Sequence, residues 1–462
     1  MRDDTSNPVT LDLGAISIEL PGPIRQYQWE GVNFLLGSSA GLLADEMGLG
    51  KTVQTVLAIF LILLRPDCNR ALVVVPASLR LNWEREFARW VPSLTVRRLV
   101  GSAKDRAALY RLPVPVVIAS YDQVRQDVET IQNDVRFDVV VLDEAQRIKN
   151  RDSGTSLACK LLPRIRSWCL TGTPVENHPS DLVSLFGFVR PGLLRDHMGR
   201  EEMHREMKPH FLRRHKADVL AELPPIIRQD LPVELQGAQR NAYDQLWETR
   251  TEYVSEEGLP ATEMHLFALV TKLKQLCNYD PQTEESAKGD ALATMLEDLT
   301  DATDKVIVFS QYVSTLKWLS RRLAGFPHEL YHGEQGEVER DRALAMFRQE
   351  DGPRALLVSL RAGGVGLNLQ EASTVVMFDR WWNPAIEEQA INRAHRFGRE
   401  RPLHVIRFLA VNTIEERIAE VLEEKRQTFA EYVGLAESAA VRLFSRAELT
   451  RLLALRPKEV DG

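Results

Sequence analysis

The segment Asp45-Glu46-Met47-Gly48-Leu49-Gly50-Lys51-Thr52 constrains this chain more than any other. It follows a short apolar run, Gly41–Ala44, and opens the apolar helical pattern Val53–Leu64. Strand, glycine-rich turn and helix in that order make a phosphate-binding loop. The glycines let backbone N–H groups turn inward around phosphates at the positive end of a helix. Lys51 then reaches the β- and γ-phosphates of a nucleotide, and the Thr52 hydroxyl can bind Mg2+. The same string occurs by chance in ordinary turns, so its flanking strand and helix are what give it chemical meaning.

Three further segments carry chemistry. The apolar run Phe137–Leu142 ends in Asp143-Glu144. Asp143 is suited to hold Mg2+, and Glu144 to orient and polarise an attacking water. Adjacent acids at a strand end can also be merely solvated; the phosphate loop upstream favours the catalytic reading. Ser167–Leu170 runs into Thr171-Gly172-Thr173-Pro174, a small polar turn able to sense a γ-phosphate, although its composition is that of many turns. Arg393 and Arg396, spaced i, i+3, share a face if they lie on one helix. A guanidinium suits the charge on a transferring phosphoryl group. Without such a context a basic helix face is simply solvated.

Composition narrows the class. The 462 residues are 44% hydrophobic and 27% charged, an ordinary globular balance, and suggest about two or three domains. The formal net charge of −7 excludes a uniformly basic coat but leaves room for a local basic track. Cys68, Cys159, Cys169 and Cys277 show no C-x-x-C spacing, so no structural zinc site is expected and the thiols read as small buried hydrophobes. The N-terminal MRDDTSNPVT lacks the apolar core of a signal peptide. The longest apolar run, Val56–Leu64, is far short of the ~20 residues that span a bilayer. A cytosolic or nucleoid-associated protein without membrane contact is expected.

Continuous apolar runs alternate with helical patterns in both halves, which predicts parallel sheets in an α/β fold. Gly41–Ala44, Ala71–Val75, Val114–Ser120, Phe137–Leu142 and Ser167–Leu170 are the expected strands of the first half. Val306–Phe309, Ala355–Ser359, Thr374–Phe378 and Val405–Leu409 are those of the second. The stretch 176–299 reads as helical and without strong strands, with a linker at Leu223-Pro224-Pro225 and a surface loop over Asn278–Asp290. The expected division is 1–223 and 224–462, the latter with a helical insertion at about 235–300 and terminal helices after 413.

The motifs in their order resemble the Swi/Snf-type ATPases of helicase superfamily two, from Pro23 to about Tyr432. The resemblance is carried by Arg25-Gln26-Tyr27-Gln28 before Gly31, DEMGLGKT at 45–52, and Pro76 with Asn82-Trp83-Glu84 and Glu86. It continues through DEAQRIKN at 143–150, LTGTPVEN at 170–177, FLRRHKADVLAELPP at 211–225 and VFSQY at 308–312. SLRAGGVGLNL at 359–369, and WWNP with QAINRAHRFG within 381–398, complete it. It implies two RecA-like lobes with helical insertions and a C-terminal helical brace. ATP and Mg2+ are the implied cofactors, and translocation along duplex DNA without strand separation the implied activity.

Under the resemblance, Gln28 reads the adenine edge, and residues 45–52 with Gly366 contact nucleotide. Lys51, Thr52, Asp143 and Glu144 keep their roles, and Arg393 and Arg396 become arginine fingers. Pro76, Ser78, Ser120, Ser310, Ser359, Asn368 and Trp382 are implied at the nucleic acid, and Gly364 beside the cleft or the track. Trp382 also fits a core aromatic at a helix start. Arg213-Arg214-His215-Lys216 is the clearest basic cluster, and is expected to serve DNA. A core of this kind implies a protein partner or an operon-encoded complex; the oligomeric state stays open. Two departures stand out: Arg399 where glutamine is usual, and Leu360 where threonine is. The rival readings are a strand-separating helicase and a nucleotide-gated interaction module with little hydrolysis.

Overall fold

The computed structural model describes residues 9–12, 17–172, 179–220, 222–255, 263–298, 304–360, 367, 369–382, 384–396, 398–431 and 444–455. Two compact units emerge, one ending at Glu222 and the other beginning at Leu223.

In the first unit, β1 (Val9–Asp12) and β2 (Ser17–Leu20) form an antiparallel pair. The main sheet contains β3 (Ala40–Leu43), β4 (Ala71–Val75), β5 (Val96–Arg98), β6 (Val116–Ser120), β7 (Phe137–Asp143), β8 (Arg164–Leu170) and β9 (Phe211–Leu212). Its order is β5-β6-β4-β7-β8-β3-β9, every pairing parallel. Every residue of β3, β4 and β6 is buried, which is why these strands read as unbroken apolar runs. Helices α1 (Gln26–Gly37), α2 (Lys51–Leu63) and α3 (Arg80–Trp90) belong to this unit. In α3, Trp83 and Phe87 are the buried pair at i, i+4, while its charged residues face outward or sit half-buried.

The second unit holds a six-stranded parallel sheet: β10 (Ile226–Glu234), β11 (Val306–Ser310), β12 (His328–Tyr331), β13 (Ala355–Ser359), β14 (Thr374–Met377) and β15 (Leu403–Val411). The order is β10-β15-β14-β11-β13-β12. Strand β10 corrects the expectation of a middle segment without strong strands. It pairs with β15 from Ile226↔Leu403 to Glu234↔Val411. As an edge strand it exposes Ile227, Arg228, Gln229 and Asp230, so no apolar run marks it. Pro232, which has no N–H to donate, is tolerated at such an edge. The short β5, β9 and β12 likewise lack a continuous apolar run.

The expected surface loop at Asn278–Asp290 is formed in part: Pro281 to Glu285 are exposed in a turn, while its flanks are buried. Asn278, Asp280, Ser286 and Lys288 are buried, and a helix begins at Ala287. The Asp280 carboxylate accepts from Gln282 N–H, Thr283 N–H and the Thr283 hydroxyl, which closes the turn internally. Lys288 pairs with both oxygens of Glu415 at 2.7 Å and donates to the Phe378 carbonyl at 3.0 Å, with both side chains at 0% exposure. Polar residues here read as solvent-facing in the sequence, yet they build a buried network.

All four cysteines are free and buried. Burial pushes the Cys159 and Cys277 thiols up to about 12 and Cys169 higher still. Among the described residues no helix is long and apolar enough to cross a membrane.

Candidate active site

In a parallel sheet the carboxyl ends of all strands lie on one edge, where ligands bind in open α/β folds. That edge of the first unit collects the loop after β3, the acid pair closing β7 and the turn after β8. Gly48 and Gly50 adopt φ of +87° and +77°, which a side chain would strain. Gly50 also has no room for one: a Cβ there would lie 2.5 Å from Gln28 Nε2. Gln28 is tied on both sides, its Oε1 accepting from Arg25 N–H at 3.0 Å and its Nε2 donating to the Leu49 carbonyl at 3.4 Å. Lys51 Nζ donates to the carbonyls of Asp45 at 2.5 Å and Glu46 at 3.2 Å. The ammonium thus lies over the loop, and the turn after β8 approaches it: a Cβ on Gly172 would be 3.4 Å from Lys51 Nζ.

The acid pair is held from several sides. Trp83 Nε1 donates to Asp143 Oδ2 at 2.8 Å, Glu144 N–H to Oδ1 at 2.9 Å, and the Tyr121 hydroxyl to the Asp143 carbonyl at 2.7 Å. Burial, reinforced by the Glu144 charge, pushes the Asp143 carboxyl up to about 6, while Trp83 and Lys51 pull it back. Glu144 sits in the left-handed region, φ +52° and ψ +50°, an unusual backbone for a residue with a side chain. Its Oε2 accepts from Gln146 Nε2 at 2.7 Å, and Gln146 Oε1 accepts from the Thr171 hydroxyl at 3.0 Å. A chain of hydrogen bonds therefore runs from the acid after β7 to the threonine after β8.

Mg2+ fits this donor set. It favours one or two carboxylates, a hydroxyl and substrate phosphate oxygens over an all-protein cage. Burial is the main reason that the Asp143 carboxyl is raised, and a cation bound beside it would lower it again. Thr52 stands in the first turn of α2.

Other expected site residues fall differently. Ser78 is exposed, whereas Pro76 is buried. Ser120 is buried as the cap of the following helix, accepting from Gln123 N–H at 3.2 Å. Ser310 is fully buried and donates to Asp379, whose other oxygen accepts from Gln311 N–H at 3.0 Å. Ser359 is buried at the end of β13. Trp382, 5% exposed, packs against Phe267 and Phe444 at 5.1 and 5.3 Å, with Lys274 Nζ 4.1 Å from its ring. Its surroundings are those of a core aromatic, a correction to its expected position on a track. Gly364, Gly366, Asn368 and residues 173–178 lie outside the described residues.

The helix bearing Arg393 ends at Ala394, so Arg396 lies beyond it and the expected shared helical face is not formed. Arg393 is buried and Arg396 half-buried. Arg399 donates to the carbonyls of Ala372 at 2.6 Å and Pro402 at 2.9 Å, clamping backbone. Leu360 is fully buried in the core of the second unit. Two members of the basic cluster are corrected: Lys216 is buried and its N–H donates to Glu46 at 2.8 Å, while Arg214 holds the Asp45 carboxylate. Trp83, Tyr121, Gln146 and Arg214 are site residues that sequence reasoning missed. Trp83, Gln146 and Arg214 stand within the motifs and Tyr121 in none of them, and partners up to 187 residues apart are set by the sheet order.

A glycine loop cradling a lysine, beside an acid pair on a parallel-sheet edge, defines a P-loop nucleotide-binding protein. The chain belongs to the SNF2-related family: that domain's profile matches residues 27–282, and the helicase conserved C-terminal domain matches 287–398. A Mycoplasma pneumoniae protein described as an uncharacterized ATP-dependent helicase is 35% identical over 458 residues, covering 93% of this chain and 44% of its own length. The mouse SWI/SNF-related matrix-associated actin-dependent regulator of chromatin subfamily A member 1 is 32% identical over 449 residues, covering 87% of this chain and 43% of its own. The solved SWI2/SNF2 ATPase core of Sulfolobus solfataricus in complex with dsDNA aligns with a TM-score of 0.44 at 27% identity, covering 94% of this chain and 98% of that one. The chain spans less than half the length of these two curated relatives.

Proposed function

We propose that the chain is an ATP-hydrolysing motor that moves along duplex DNA without separating its strands. The observation that carries the hydrolytic part is the meeting of three strand ends. Lys51 stands beside Gly172, and Glu144 is linked through Gln146 to Thr171. Loss of a γ-phosphate at Lys51 would be felt by that chain. In this reading Lys51 leaves the two loop carbonyls for the β- and γ-phosphates, and Gln28 holds the adenine edge. Thr52 and Asp143 hold the metal, which supplies positive charge to the phosphates when bound. Glu144 polarises the attacking water. Arg393 and Arg396 act as arginine fingers on the transferring phosphoryl group.

The duplex-DNA part is supported by the family and by the mouse relative's description as a regulator of chromatin. Contacts of a translocating motor go mainly to phosphate and sugar and are tolerant of sequence. Duplex DNA is therefore expected to stimulate ATP hydrolysis much more than RNA does, and the stimulation to fade with added salt through counterion release. Phosphate release measured against salt, with either nucleic acid, checks this; equal stimulation by RNA refutes the duplex reading. Triplex displacement compared with strand unwinding decides between translocation and helicase action.

A further inference from the structure

We infer that Arg214 is a positioning residue of the nucleotide site, fixing the loop acid Asp45 and through it the spacing of α1, the loop and α2; this rests on the nucleotide reading above. Strand β9 lies beside β3, pairing Leu42↔Phe211 and Leu43↔Leu212, and the chain after it follows the phosphate loop. Ala44 N–H donates to the Leu212 carbonyl at 2.7 Å and Glu46 N–H to the Arg214 carbonyl at 2.9 Å. This backbone pairing delivers the Arg214 guanidinium to the inner side of the loop.

The whole fork is then used. Nε and Nη2 grip Asp45 Oδ1 and Oδ2 at 3.0 and 2.5 Å, and Nη2 also reaches Gln54 Oε1 at 3.0 Å. Nη1 donates to the Tyr27 carbonyl and to Glu30 Oε2, and the guanidinium lies 5.4 Å from the Tyr27 ring centre. The Arg214 side chain is 10% exposed and Asp45 fully buried. Gln54 passes the restraint on, its Nε2 donating to Asp45 Oδ2 at 3.2 Å and to the Leu49 carbonyl at 3.0 Å. That carbonyl is the one Gln28 reaches from α1. One side chain thus connects three elements, each presenting a group meant for a different part of the nucleotide.

Gly31 is the space this arrangement needs. A Cβ there would fall 1.7 Å from Gln54 Oε1 and 2.9 Å from Arg214 Nη2. Lysine cannot replace the arginine, because a point charge does not grip two carboxylate oxygens and a third acceptor in one plane. The geometry also separates Arg214 from a DNA role: its donors face inward, toward the loop.

The test uses the full chain and a fluorescent ADP with Mg2+ in the absence of DNA. R214K is expected to bind it about tenfold more weakly or worse, the scale of lost hydrogen bonds to a charged group. The KM for ATP should rise with it, turnover at saturating ATP should change much less, and duplex-DNA affinity should stay at the parental value. Gly31→Ala should reproduce the shift by displacing Gln54. Should R214K fail to fold, the charge-balanced pair Arg214→Gln with Asp45→Asn carries the same measurement and the same expectation. Parental nucleotide affinity in the folded variant, with only the unfolding midpoint lowered, overturns the inference. So does a loss confined to DNA affinity. Lys51→Ala is measured alongside: if it too binds ADP like the parent, the nucleotide reading itself falls, whereas loss in Lys51→Ala with retention in R214K removes only the role of Arg214.

Discussion

In the proposed reading, single residues at the sheet edge carry the chemistry, and Glu144 is the sharpest of them. Its backbone is left-handed and its carboxylate is tied to Gln146, so its position is fixed before any water arrives. Glu144→Gln keeps the shape and removes the charge. ATP binding is expected to persist while hydrolysis falls by roughly 10²-fold or more, the usual worth of a general base. Steady-state turnover and nucleotide affinity measured on one preparation check this, and near-normal turnover removes the assignment. Lys51, Asp143 and Glu144 were legible in the sequence because each ends or begins an element whose apolar pattern is plain. Trp83 and Gln146 were not, since an indole or an amide signals no chemistry until a partner is brought to it. Trp382 shows the opposite failure: an aromatic inside a motif looked like a contact residue, while its ring packs against Phe267 and Phe444.

Elements are joined by polar contacts that hydropathy cannot show. The helix Ala287–Glu297 is pinned to the helix Ile414–Glu431 by the fully buried Lys288–Glu415 pair. Glu415 also accepts from Ala410 N–H at 2.9 Å. Removing one partner leaves the other charge buried, so Lys288→Met is expected to destabilise the second unit by about 3–5 kcal/mol. Adding Glu415→Leu should recover much of that loss. Urea unfolding followed by tryptophan fluorescence tests both variants; a single variant within experimental error of the parent would contradict the argument. The strands β4, β7, β11 and β13 could be read directly because each carries a run of apolar residues buried on both faces. Strand β10 could not, because one side of an edge strand meets solvent and its residues follow.

At the scale of the whole molecule, the phosphate loop belongs to one unit and Arg393 and Arg396 to the other. With the proposed finger role, a chain cut near Pro224 should bind nucleotide weakly through its first half and hydrolyse little. Arg396→Ala in the intact chain should lower turnover by about 10³-fold with a modest change in affinity, the low end for a lost finger. Lysine at that position should rescue poorly. Comparable turnover in Arg396→Ala would remove the finger role of that residue. The buried thiols have a use of their own. A thiol reacts as its thiolate and only when reached, so Cys159 and Cys169 in one unit and Cys277 in the other are silent while folded. A brief pulse of an alkylating agent along a denaturant series, followed by mass analysis of the peptides, would label each cysteine only as its own unit opens. The chain thereby carries built-in reporters that can time the loss of each half separately, with no residue changed.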